Sequence, residues 1–247
     1  MTLPYRQLDA AQIIATIQRL QQRILERFPS RHLGQVAGQL AEFASEATAN
    51  IEWYQRPHIP LRLLIALFVA IIPAILLIVF VVGHFETVSI HLHEFIQTTE
   101  AMLASIVFIG AAVIYLVSLE RRIKRSRVIQ HLDELRAVAH IVDMHQLTKD
   151  PERVLRKDNE AGSTKSSPTV KLNAFQLGRY FDYCSEMMSL TSKVAALYAQ
   201  ASVDPQIGAA VLEIENLTTG LSRKIWQKMM LLQQVHAAKL DSKGDTA

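Results

Sequence analysis

Apolar residues recur along this chain in helical periods that are twice interrupted, and the interruptions divide it. In residues 8–28, Ile13, Ile17, Leu20 and Ile24 stand four, three and four apart, a narrow stripe on a helix that Pro29 stops. Ser30 is placed to cap a second helix running to about Gln55. Its apolar side carries Leu33, Val36, Ala37, Leu40, Phe43 and Ala47, so the two segments form an antiparallel hairpin. Trp53 and Tyr54 come just before Pro57 and Pro60, where their rings suit either a membrane boundary or ordinary packing.

The amphipathic period is then lost. Residues 63–82 (LLIALFVAIIPAILLIVFVV) and 101–119 (AMLASIVFIGAAVIYLVSL) contain no charge. A helix needs roughly 20 apolar residues to cross a bilayer core, so each segment is read as a span. Ala66, Ala70 and Ala74 repeat every four residues in the first span, and Ala101, Ser105 and Ala112 supply small side chains in the second. These are the expected packing faces of a transmembrane hairpin, or of an oligomer of such hairpins. Pro73 falls within the first span, where it removes one backbone hydrogen bond and favours a kink.

A helical stripe resumes after the second span. Val128, Leu132, Leu135, Ala139 and Val142 mark a stalk helix continuing directly from it. Residues 149–171 are polar, with Pro151, Gly162 and Pro168, and read as a linker. Beyond it, Leu177, Phe181, Cys184, Met188, Thr191, Ala195 and Tyr198 alternate in steps of four and three, a heptad seam. Asp204 followed by Pro205 opens another helix, seamed by Ile207, Val211, Ile214, Thr218, Leu221, Ile225, Leu232 and Val235.

The expected fold is an all-α membrane protein, a two-span helical hairpin with a cytoplasmic helical bundle. Its parts are an N-terminal hairpin (1–56), the transmembrane hairpin (57–119, with an external loop at 83–100), the stalk (120–148), the linker (149–171), a C-terminal hairpin (172–240) and a tail (241–247).

Charge sets the expected orientation. Residues 83–100 hold Glu86, Glu94 and Glu100 and no Lys or Arg, whereas Arg56 and Arg62 precede the first span and Arg121, Arg122, Lys124, Arg125 and Arg127 follow the second. Basic residues near spans stay on the cytoplasmic side, so both termini are expected there, in a bacterial inner membrane. The same basic run is suited to anionic lipid headgroups rather than to nucleic acid, which calls for basic residues spread over a soluble surface.

Composition agrees with this reading. The 247 residues are 50% hydrophobic and 20% charged, which excludes general disorder, and a mean hydropathy of +0.16 with a pI near 9.0 is consistent with part of the chain facing lipid. A single cysteine excludes an intramolecular disulfide. The first 60 residues lack the basic tip and apolar run of a secretory signal, so the first span is expected to direct insertion.

Candidate chemistry is sparse. His140 and Asp143 share a helix face at ligand spacing, but the paired Glu-x-x-His of bundle metal sites is absent, and polar capping explains them as well. His84, Glu86, His91, His93 and Glu94 of the loop could bind a cation, or through the histidines change charge between pH 5 and 8, although a short acidic connector explains them equally well. No phosphate-binding glycine loop, nucleophile elbow or zinc-protease motif occurs, and Cys184 falls on an apolar seam. The spans contain no ionisable group of the kind that marks an ion-coupled transporter.

The expectation is a non-enzymatic membrane scaffold without cofactor, whose cytoplasmic bundle self-associates or binds a protein partner. The alternative is a homo-oligomeric two-span pore gated by its cytoplasmic domain.

Overall fold

The computed structural model describes residues 7–29, 31–85, 92–151, 165–166 and 172–244. The cap at Ser30, the side chains of His84, Glu86, His91, His93 and Glu94, most of the linker, the Val235 side chain and the tail beyond 244 lie outside the described residues. Those described form helices and turns, with no strand among them. The helices are α1 (Ala10–Arg27), α2 (Leu33–Gln55), α3 (Ile59–Phe85), α4 (Leu92–Leu147), α5 (Ala174–Ala201) and α6 (Pro205–Gly244). They fall into two compact units, residues 54–127 and residues 1–53 with 128–247.

Local chemistry explains the helix starts. The Asp9 carboxylate accepts from the main-chain N–H groups of Ala11 and Gln12 and opens α1. Asn173 and Gln176 form a reciprocal capping box at α5, each side chain accepting from the other's main-chain N–H. Asp204 opens α6 by accepting from Gln206 N–H, with Pro205 at the first helical position, where a missing N–H costs nothing.

In the larger unit the helices pack as a bundle. The stripes of α1 and of the second half of α4 are buried throughout, as are the seam residues Leu177, Phe181 and Met188 of α5 and Ile207, Ile214, Leu221 and Ile225 of α6. Phe43 on α2 is only half-buried. Helix α5 is enclosed more widely than one seam requires: Tyr180, Tyr183, Met187, Leu190, Val194 and Leu197 are buried too. They form a second seam in steps of three and four, so α5 packs both against α6 and against α1.

Helices α1 and α5 run antiparallel. Leu8 and Gln200 exchange hydrogen bonds at one end, Arg23 grips Glu186 through two nitrogens, and Phe28 meets the edges of Tyr180 and Tyr183 at the other end. Helices α1 and α2 approach closely where Gly34 and Gly38 stand. A Cβ there would come within 2.5 Å of Leu25 Cδ2 and 2.8 Å of Gln21 Nε2, respectively.

The smaller unit holds α3 and the first part of α4, helices long and apolar enough to cross a membrane, and no described residue of their apolar windows is buried. At 1.5 Å per residue, α3 is about 40 Å long, against roughly 30 Å of hydrocarbon. The helices continue past the expected spans, to Phe85 and from Leu92, so most of the segment read as loop is helical.

Candidate functional site

Three groups of polar residues stand out, and each begins from a backbone or burial requirement. The first joins the start of α3 to α4 within the smaller unit. Glu120 accepts from the main-chain N–H of His58, two residues after Arg56, and pairs with Lys124 at 3.0 Å and Arg62 at 3.9 Å. Lys124 Nζ also donates to the Arg56 carbonyl at 2.6 Å. Lys124 is therefore buried, unlike Arg121, Arg122 and Arg127, which are exposed, and Arg125, which is half-buried. The run expected to lie wholly at lipid headgroups thus gives up one member to an internal brace. The Arg56 main-chain carbonyl and the Glu120 carboxylate on the preceding turn draw its ammonium inward.

The second group lies in the larger unit between α2 and α4. Asn50 is buried, and its Nδ2 lies 2.8 Å from His131 Nε2. With Asn50 donating, His131 carries its proton on Nδ1, which faces Glu134 at 3.4 Å. A polar pair in an apolar seam fixes the register of the helices it joins, because any slip leaves buried groups unpaired.

The third group surrounds the C-terminal end of α4. Lys228 of α6 donates to the Gln146 carbonyl at 2.9 Å, and the Lys149 N–H donates to the same oxygen. Buried Gln146 donates through Nε2 to Asp143 Oδ1, while its Oε1 meets no donor among the described residues. The amide cannot turn over, since that would set its oxygen against the carboxylate. The Tyr180 hydroxyl reaches the His145 carbonyl, and the His145 ring stacks on His32 with centroids 6.3 Å apart.

Burial sets the electrostatics of this third group. It holds Lys228 below the ordinary lysine range against the opposing carboxylates of Asp143 and Asp150, and it lowers Lys149, with Arg31 adding to the effect. His145 is lowered by burial and then by His32 and Lys149. Burial raises the Tyr180 phenol and pushes the Cys184 thiol up to about 12. Cys184 is thus a protonated core residue at neutral pH, without the thiolate that nucleophilic or metal chemistry requires.

The remaining residues singled out from sequence are dispersed. His140 is exposed, and the carboxylate of its spacing partner Asp143 is taken by Gln146. Among the described residues no three His, Cys, Asp or Glu side chains converge as a metal site. Ala66, Ala70, Ala74, Ala101 and Ser105 are exposed and Ala112 is half-buried. Among the described residues, none of these small side chains is buried within one chain. Larger residues of α4, Ile109, Val113 and Leu116, are half-buried instead, and a Cβ added at Gly110 meets nothing within 4 Å.

Sequence reading missed Asn50, Gln146, Lys228 and the second seam of α5. The seam had a signal, since Tyr180, Tyr183, Met187, Leu190, Val194 and Leu197 keep a heptad period of their own. No known protein family matches this chain, and no characterised protein or solved structure does.

Proposed function

We propose that this protein is a non-enzymatic scaffold anchored in a membrane, a bacterial inner membrane by its charge pattern, whose cytoplasmic bundle self-associates or holds a protein partner. The observation that carries the reading is the contrast between two parts of the chain. Helix α3 and the first half of α4 present long uncharged stretches in which no described residue is buried, while the other helices and the second half of α4 bury apolar seams. An apolar surface of that extent on a folded protein calls for lipid or another chain. The orientation rests on the acidic 83–100 segment and the basic residues beyond both spans.

A homo-oligomeric two-span pore is the second reading. It is favoured by the exposed row of Ala66, Ala70 and Ala74, which leaves a smooth side for another span. Native mass spectrometry of the full chain in gentle detergent separates the two. A monomer, a dimer or a complex with a second protein supports the scaffold. A closed ring of several identical chains that conducts ions in liposomes supports the pore and overturns the scaffold.

A further inference from the structure

Helix α2 has a charge pattern unlike that of any other helix in the bundle: it carries Glu42, Glu46 and Glu52 and neither Lys nor Arg. Two of these acids rim an open groove of about 520 Å³ between α2 and the second half of α4. Glu134 stands on the opposite rim, and Phe43, Ala137 and Ile141 provide apolar lining. All of these residues belong to the larger unit.

Among the described residues no basic side chain pairs with the α2 acids that rim this groove. Glu42 and Glu46 are exposed and have no ion-pair partner among the described residues. The basic residue nearest in sequence to Glu134, Arg136, is turned toward Asp133 and Glu213 instead. His131 lies beside Glu134 at 3.4 Å but is held by Asn50 through its other ring nitrogen. The half-buried Phe43 and Ile141 leave apolar surface open between the acidic rims. Each wall is about two helical turns long, Gln39–Glu46 on one side and Glu134–Ile141 on the other.

An apolar floor with two carboxylates on one wall and one on the other is complementary to a helix that has an apolar stripe flanked by lysine or arginine. Such a helix lays its stripe into the groove, while its cations reach the rims. We infer that the groove between α2 and α4, rimmed by Glu42, Glu46 and Glu134 and lined by Phe43 and Ile141, docks a cationic amphipathic helix of a partner protein. This inference rests on the scaffold reading and assigns the partner's chemistry to one place on the bundle.

The test uses the full chain in nanodiscs of zwitterionic lipid, with empty nanodiscs as the lipid blank. The probe is a fluorescent amphipathic leucine–lysine peptide, with its leucine–glutamate counterpart as control. Binding of the lysine peptide alone is expected, weakening at high salt. The triple variant Glu42→Gln, Glu46→Gln, Glu134→Gln should lose about tenfold in affinity, as expected for three exposed ion pairs. Ala137→Lys, which adds a cation to the groove while leaving the rim acids in place, should weaken the peptide as well. Circular dichroism checks that both variants are folded.

A photo-reactive residue in place of Phe43 should cross-link to the lysine peptide. Equal binding by the triple variant, or equal binding of the acidic peptide, overturns the assignment. Cross-linking of position 43 to a second copy in preference to the peptide overturns it too, in favour of self-association. Native mass spectrometry keeps the two failures apart. A partner retained by the triple variant refutes the groove and leaves the scaffold standing, whereas a conducting ring refutes the scaffold whatever the peptide does.

Discussion

The ammonium of Lys228 on α6 lies 2.9 Å from the main-chain carbonyl oxygen of Gln146, in the last turn of α4. The last carbonyls of a helix have no partner within it, and that end carries partial negative charge. Lys228 satisfies one of them from a neighbouring helix, which ties the end of the stalk to the C-terminal hairpin. Lys228→Met keeps most of the aliphatic stem and removes the donor, and should cost about 1–3 kcal/mol. Chemical unfolding in detergent, followed by circular dichroism, reads this directly; an unchanged midpoint would show that the contact contributes nothing.

The polar pair between α2 and α4 should behave as a unit. Asn50→Ala leaves His131 without its buried partner and should cost about 1–3 kcal/mol. The double variant Asn50→Leu, His131→Leu removes both needs together and should recover most of that loss. A double variant weaker than the sum of its single changes would mean that the site requires polarity for another reason.

Acid should weaken the bundle through His145. Burial, with His32 and Lys149 beside it, holds this imidazole below its ordinary 6.5. The unfolded chain therefore binds a proton near pH 6.5 that the folded chain still refuses, and protonation favours unfolding. Stability is expected to fall as pH drops through 6.5, levelling off once the folded-state imidazole titrates. His145→Asn should lessen that slope in a pH series of unfolding midpoints, and identical slopes would assign the acid sensitivity elsewhere.

The two phenylalanines near the start of α5 provide a test of the packing. Phe181 is fully buried and Phe175 is 67% exposed. Phe181→Ala should cost about 3–5 kcal/mol, whereas Phe175→Ala should stay within about 0.5 kcal/mol apart from its contact with Arg27. Comparable losses at both positions would contradict the packing of α5 described above.

How much could be read from sequence varied with the kind of interaction. Stripes such as Ile13 to Ile24 and Leu177 to Tyr198 were legible because burial imposes a period on residue type. The start of α6 was legible because Asp204-Pro205 is a local signal. Lys228 and Gln146 were not, since 82 residues separate them and nothing in either neighbourhood encodes the pairing. Lys124 was misread for a related reason. Its place in a basic run resembles that of its neighbours, and only the fold brings the Arg56 carbonyl within reach. The groove was illegible because its acids lie on two helices far apart in the chain, although the lack of any base in α2 was visible all along.

The central claim is that α3 and α4 cross a membrane with both ends of the chain on one side, and cysteine accessibility tests it most directly. The native thiol is buried and held near 12, so Cys184 should stay unlabelled in the folded protein and give no background. Ser89→Cys lies between the two apolar segments, and Ser45→Cys replaces an exposed residue of α2. In bacterial spheroplasts treated with a membrane-impermeant maleimide, the account predicts labelling of Ser89→Cys alone, with Ser45→Cys labelled only after lysis. Labelling of both before lysis, or of Ser45→Cys alone, would contradict it.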